Sequence, residues 1–273
     1  MEYKDIVVHL GKDRRSGARL DAAIRLAQEH EGRVTGIYVL SRRNIPSCVL
    51  AEFPPEVLKR LDTEERARAE AAEAEFNELT ARTGVPGEWR LTSGDFADAI
   101  VTGACYADVV IVGQTDPHDD ESRVGLAEDV MLGGGGPVLI WPYAGAFASN
   151  PETIMLAWNG TREAKHALDG ALPLMQHARK VVVFGVDRCD GKHIPGADIS
   201  AHLARHGVRA EARHTLTSSG IGVGDALLSE IGDHGIGLLV MGGYGHSRFR
   251  EMLLGGVTRD VLREMTVPVL MAH

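Results

Sequence analysis

The chain has 273 residues, of which 44% are hydrophobic, 5% aromatic and 25% charged. This is a globular composition, long enough for one large or two ordinary domains, with a core that must rest on Val, Leu, Ile and Ala. A formal net charge of -9 argues against nucleic-acid and anionic-membrane surfaces, both of which need a basic patch.

The opening "MEYKDIVVHLGKD" has no apolar stretch of signal-peptide length, and no run reaches the roughly 18 apolar residues of a membrane span. "IVVHL" and "VTGIYVL" are β-branched runs with little polar alternation, as in strands buried on both faces. Between them "RSGARLDAAIRLAQEH" has helical apolar spacing, with Gly32 expected as its C-cap. "PPEVLKRLDTEERARAEAAEAEFNELTARTG", Pro54 to Gly84, has a Pro start, strong helix formers, interleaved charges and a Gly stop. It reads as a long, mostly solvated helix, with a partner-docking helix as the sharper alternative. "DVVIVG" and "PVLIWP" are two further strands, and "GGGG", Gly133 to Gly136, is expected to loop into the second of them. "YAGAFASNPE", Tyr143 to Glu152, is the expected linker.

Beyond the linker the pattern repeats. "DIVVHLGKD" pairs with "TIMLAWNGT" at an offset of 148, "DAIV" with "DALL" at 127, "DVVIVG" with "GLLVMG" at 129, and "DVMLGGGGPVLI" with "DVLREMTVPVLM" at 131. Four pairs in the same order are an internal duplication. The surplus of the first half falls in the Pro54–Gly84 helix. Strands alternating with helices imply parallel sheets, right-handed crossovers and helices on both faces. The halves are taken as domains 1–142 and 153–273. Cys48, Cys105 and Cys189 are far apart and odd in number, which suits a reduced, cytoplasmic protein.

"VMGGYGHSRFREMLLGGVTRDVL", Val240 to Leu262, carries the strongest functional signal. Gly242 ends a strand, and Gly255-Gly256 precedes a helix. Ligands of open parallel sheets bind at the carboxyl ends of the strands. Glycines there free backbone N–H groups for an anion, and a helix start favours phosphate. The spacing is not that of a P-loop. Glycines that merely punctuate turns are the plain alternative in a chain with 32 of them.

Gly242, Gly245 and Gly255 match the G-x2-G-x9-G-[S/T] of nucleotide-binding members of the universal stress protein family, which the chain resembles in its tandem form. The likeness extends to "IMLAWNGTREAKHAL" and the closing "VPVLMAH". It implies two tandem open parallel five-stranded sheets flanked by helices, Rossmann-like and adenine nucleotide alpha hydrolase-like, related by a pseudo-two-fold. It also implies pairing of the two final strands into an intramolecular pseudo-dimer, and ATP or another adenine nucleotide, with or without Mg2+, as ligand. A homodimer of chains and further protein partners stay open. The residues implied at the site are Asn159, Gly160, Val186, Gly242, Gly245, His246, Gly255, Gly256, Val257 and Thr258. Asn159 stands where the family has Asp, and Gly256 where it has Ser or Thr. The Thr258 hydroxyl is the candidate substitute.

In the first half Asp116 stands opposite Gly245, followed by Asp119, Asp120 and Glu121, and Gly11 stands opposite Asn159. Carboxylates repel phosphate, so that half is expected to hold no triphosphate. Cys189 and His193 fall short of a zinc site, and His118 reads as a solvated turn. Ser218 and Ser219, at the end of an expected strand, are phosphate contacts or plain turn residues, and Arg248 and Arg250 are phosphate screens or solvated surface arginines. No triad, carboxylate dyad or metal motif is evident, so regulatory binding with at most slow ATP hydrolysis is expected. An interaction module without nucleotide is the rival reading, and a hydrolase or nucleotidyl transferase a weaker one.

Overall fold

The computed structural model describes residues 2–40, 54–119, 121–148, 150–187, 196–216, 222–244 and 256–273. In the first half β1 (Asp5–Leu10), α1 (Ser16–Glu29), β2 (Arg33–Leu40), α2 (Pro55–Thr83) and β3 (Gly87–Ser93) come first. They are followed by α3 (Phe96–Ala104), β4 (Val109–Gly113), α4 (Leu126–Gly134) and β5 (Val138–Trp141). The second half opens with β6 (Thr153–Ala157), α5 (Arg162–His177), β7 (Lys180–Asp187), α6 (Gly196–Arg205) and β8 (Ala210–Leu216). It closes with α7 (Val223–His234), β9 (Leu238–Gly242), α8 (Val257–Glu264) and β10 (Val269–Ala272).

The strands form one ten-stranded sheet in the order β3-β2-β1-β4-β5-β10-β9-β6-β7-β8. Every neighbouring pair is parallel except β5 and β10, which run antiparallel with Leu139 opposite Leu270. The two final strands therefore join the halves, as the resemblance implies. β4 and β5 are buried along almost their whole length, and apolar clusters lie on both faces, one around Ile6, Val8 and Leu270, the other around Val7, Val110 and Met271. Continuous apolar strands are thus the consequence of two-sided cover. Gln114, directly after β4, adds a polar tie between the halves. Its side-chain amide donates to the carbonyls of Leu262 and Arg263 at 2.9 and 3.2 Å, capping the carboxyl end of α8.

Two local expectations need correction. Helix α1 ends at Glu29, and the left-handed residue after it is Glu31 (φ 50°), not Gly32. Gly32 is needed because a Cβ there would run into the Tyr3 carbonyl. The "GGGG" run is not all loop either: Gly133 and Gly134 close α4, and Gly135 (φ 69°) is its left-handed cap. Helix α2 matches the Pro54–Gly84 reading, ends on a left-handed Gly84 and buries only Ala69, Phe76 and Thr80.

Candidate functional site

The strand order reverses between β6 and β9, whose carboxyl ends lie side by side with Ala157 opposite Met241. Beyond β6, the Trp158 N–H donates to the Phe184 carbonyl of β7 at 2.9 Å. The chain then turns through Asn159 and a left-handed Gly160 (φ 71°) into α5. Asn159 Oδ1 accepts from the Thr161 N–H at 3.2 Å and from its hydroxyl at 2.9 Å. Thr161 in turn caps α5, its Oγ accepting from the Ala164 N–H at 3.3 Å. Glu163 follows in the first turn, buried. A hydrogen bond from its own backbone N–H holds its carboxyl below the usual range, helped by the Thr161 hydroxyl and Arg162 and opposed by burial. The start of α5 is thus satisfied by its own side chains.

Gly242 ends β9 against that turn. A Cβ at this position would lie 2.5 Å from the Ala164 nitrogen and 2.6 Å from the Glu163 carbonyl carbon. Packing alone therefore requires this glycine. The Gly243 N–H donates to the Ala272 carbonyl at 2.9 Å, and His273 Nδ1 lies 3.1 Å from the Gly243 oxygen. Tyr244, left-handed at φ 53°, donates its N–H to Thr258 Oγ1 at 3.2 Å. That bond carries β9 to α8. The Thr258 hydroxyl, expected to replace a missing phosphate contact, is 2% exposed and already accepts from Tyr244. Gly256 is the N-cap of α8 (φ -83°, ψ 150°) and supplies no side-chain bond to its first turn.

Asn159, Gly160, Gly242, Gly256, Val257 and Thr258 thus meet at one edge, the ends of β6 and β9 and the start of α8. Val186 lies near the carboxyl end of β7, paired with Thr215. Gly245, His246 and Gly255 lie outside the described residues, as do Cys189, His193, Ser218, Ser219, Arg248 and Arg250. Sequence reading missed Glu163 and His273. An acidic residue two places after an N-cap threonine was the available signal for the first; nothing local signals the return of the last residue to Gly243.

At the equivalent edge of the first half, side chains of that half stand against the strand-end glycine. Arg19 is 1% exposed, forms two 2.6 Å bonds to Asp13 and donates Nε to the His9 carbonyl at 3.1 Å. Its guanidinium lies where a Cβ on Gly113, the counterpart of Gly242, would come within 2.7 Å. Burial raises the Asp13 carboxyl, but the Arg19 bonds outweigh it and hold the group below its ordinary value. Lys12 pairs with Glu65 of α2 and lies 3.6 Å from Glu121. Asp116 accepts from the His118 N–H at 2.8 Å, and Asp119 from the Glu121 N–H at 3.0 Å, so this loop is shaped by its own carboxylates. Among the described residues no cluster of His, Cys, Asp and Glu could hold a metal ion.

Two tandem five-stranded α/β halves, each with a glycine-ended strand at the switch point, define the class of protein. Residues 151–273 match the model of the universal stress protein family. A segment is 50% identical over 38 residues to a universal stress protein of Synechocystis, covering 14% of this chain and 13% of that relative. Across 98% of the chain the fold is similar to that of a universal stress protein from Archaeoglobus fulgidus, with a TM-score of 0.75, 14% identity and 95% of that chain covered. A functionally unknown protein from Pseudomonas aeruginosa is similar over 98% of this chain and 92% of its own, with a TM-score of 0.64 and 13% identity. At these identities the likeness is one of fold. Among the described residues no helix is long and apolar enough to cross a membrane.

Proposed function

We propose that the protein is a tandem universal stress protein, with domains at 1–142 and 153–273, that binds ATP or another adenine nucleotide in its second half as a regulatory ligand. Mg2+ accompanies a triphosphate, and the protein acts in the cytoplasm. The observation that carries this reading is the contrast between two helix starts at one edge. Helix α5 is capped by Thr161, whereas among the described residues α8 begins at Gly256 with no side-chain cap, beside the end of β9. Uncapped N–H groups and the positive end of the helix dipole favour phosphate there. In the first half α4 likewise starts at a glycine, Gly125, without a side-chain cap, but there Arg19 is committed to Asp13 and the loop after β4 is acidic, which disfavours phosphate.

Gly256→Asp tests this with opposite signs. The backbone at Gly256 is extended, as an N-cap requires, so Asp caps α8 and adds a few tenths of a kcal/mol of stability. The same carboxylate takes the N–H groups that phosphate would use and repels it. Affinity for Mg-ATP is expected to fall at least tenfold while the unliganded protein melts no lower. An unchanged affinity would remove phosphate from the start of α8.

Asn159→Asp probes the other end of the ligand. Asn159 Oδ1 is engaged by Thr161, and an Asp keeps that bond while adding a second, charged oxygen. Calorimetric titration is expected to show ATP binding tighter by about 1 kcal/mol, the scale of one bond to a charged group. Identical affinities would mean that this side chain does not touch the nucleoside.

A further inference from the structure

The first half keeps a cavity of about 50 Å³ at the carboxyl ends of β1, β2 and β4, lined among others by His9, Gly11, Tyr38, Glu65 and Phe96. Three buried polar atoms of its lining residues have no hydrogen-bond partner among the described residues: His9 Nε2, the Tyr38 hydroxyl and Glu65 Oε1. His9 is 5% exposed and Tyr38 2%. They come from three different elements, β1, β2 and α2, so one local turn does not explain them. Leaving such groups dry is destabilising. Gly11 keeps the His9 edge open, since a Cβ there would lie 3.5 Å from Nε2.

We propose that this cavity binds a small uncharged polyol, of about three or four carbons, gripped by His9, Tyr38 and Glu65. Size sets the upper limit: the space equals a handful of water-sized positions, which covalently linked atoms fill with somewhat more heavy atoms. Hydrogen-bond character selects hydroxyl. Glu65 Oε1 needs a donor, while the Tyr38 hydroxyl and the neutral His9 ring each take either role. Burial, with Arg19 nearby, pushes the His9 imidazole down to about 3, so it carries no charge near neutrality. Charge excludes ions of both signs. The lining carboxylates Asp13, Glu65 and Glu121 are set against anions, and Lys12 and Arg123 against cations. These groups already have partners: Lys12 pairs with Glu65, Asp13 with Arg19, and Arg123 with Asp95 at 3.7 Å. The Phe96 ring and the Val39 and Leu126 side chains provide the apolar wall that C–H faces of a polyol need.

The site is independent of the nucleotide reading, and its test contains no nucleotide. Saturation-transfer NMR on the full chain with erythritol and glycerol as probes, and glycerate as the charged comparison, reads binding in the millimolar range. Erythritol is expected to bind saturably, with glycerate at least tenfold weaker. Tyr38→Phe is expected to weaken erythritol about tenfold, the loss of one hydrogen bond. It should leave the unliganded melting temperature unchanged or higher, because an unpaired buried hydroxyl is gone. Gly11→Ala, which narrows the cavity beside His9 without touching Tyr38, should weaken it too. Absence of saturable erythritol binding, glycerate binding as tightly as erythritol, or equal binding by both variants and the parent would each overturn the proposal.

Discussion

Asp13→Ala is expected to cost about 3 kcal/mol or more of folding stability, an unusually large loss for a polar residue in a surface turn. The reason is its partner. Arg19 is 1% exposed and both its terminal nitrogens bond to Asp13 at 2.6 Å. Removing one member of a buried pair leaves the other charge uncompensated, which costs on the order of 3–5 kcal/mol. The pair itself is not a large net gain, so Asp13→Leu combined with Arg19→Met should recover most of the loss. Urea denaturation of the two variants and the parent gives both numbers. The acid dependence follows with its sign. The Asp13 carboxyl, near 3.8 when unfolded, is lower in the fold, so its contribution is present above that value and lost as pH falls through the folded one. His9 acts in the same direction over a wider window. Its folded value of about 3 lies below the ordinary 6.5, so the unfolded chain gains a proton first and stability declines from about pH 6.5 downward.

Gly242→Ala is expected to destabilise the second half by about 3 kcal/mol. The added Cβ meets backbone, the Ala164 nitrogen at 2.5 Å and the Glu163 carbonyl carbon at 2.6 Å, and neither can rotate away. Relief requires β9 and the first turn of α5 to separate, at the upper end of overpacking costs. Gly232→Ala is the matched comparison. Gly232 is an exposed residue within α7, and among the described residues nothing outside its own helix backbone lies within 4 Å of where a methyl group would stand. There the same substitution should stabilise by about 0.5–1 kcal/mol through helix propensity. Chemical denaturation of both variants should show shifts of opposite sign. A tolerated Gly242→Ala would contradict the packing requirement at this strand end.

The fold was legible because its causes are local and repeated. Runs such as "DVVIVG" and "GLLVMG" are apolar on both faces because helices cover both faces, and their recurrence exposed the duplication. The joining of β5 to β10 was not written in composition or period; it came from resemblance, and the antiparallel register of Leu139 and Leu270 bears it out. Helix ends were less legible, since Gly32 looked like a cap and is instead held by the Tyr3 carbonyl beside it. The site was half legible. Gly242 and Asn159 were found from strand-end position, but Glu163 and the engagement of the Thr258 hydroxyl by Tyr244 depend on how β9 meets α5 and α8. Arg19 in "RSGARLDAAIRLAQEH" reads as an ordinary helix residue, and Glu65 lies in a charged run. Only folding brings the one to Asp13 and Gly113 and the other to Lys12. Pairings of that kind leave no period or spacing to read.

We propose a division of labour: phosphate at the helix start beside the glycine-ended strand of the second half, against a first half whose Arg19–Asp13 pair and acidic loop after β4 exclude it. Isothermal titration of the full chain with ATP in the presence of Mg2+ tests it most directly. The predicted result is a single site per chain, retained in Asp116→Gly and weakened at least tenfold in Gly256→Asp. Two equivalent sites per chain, or no binding heat by the parent protein at any accessible concentration, would contradict it.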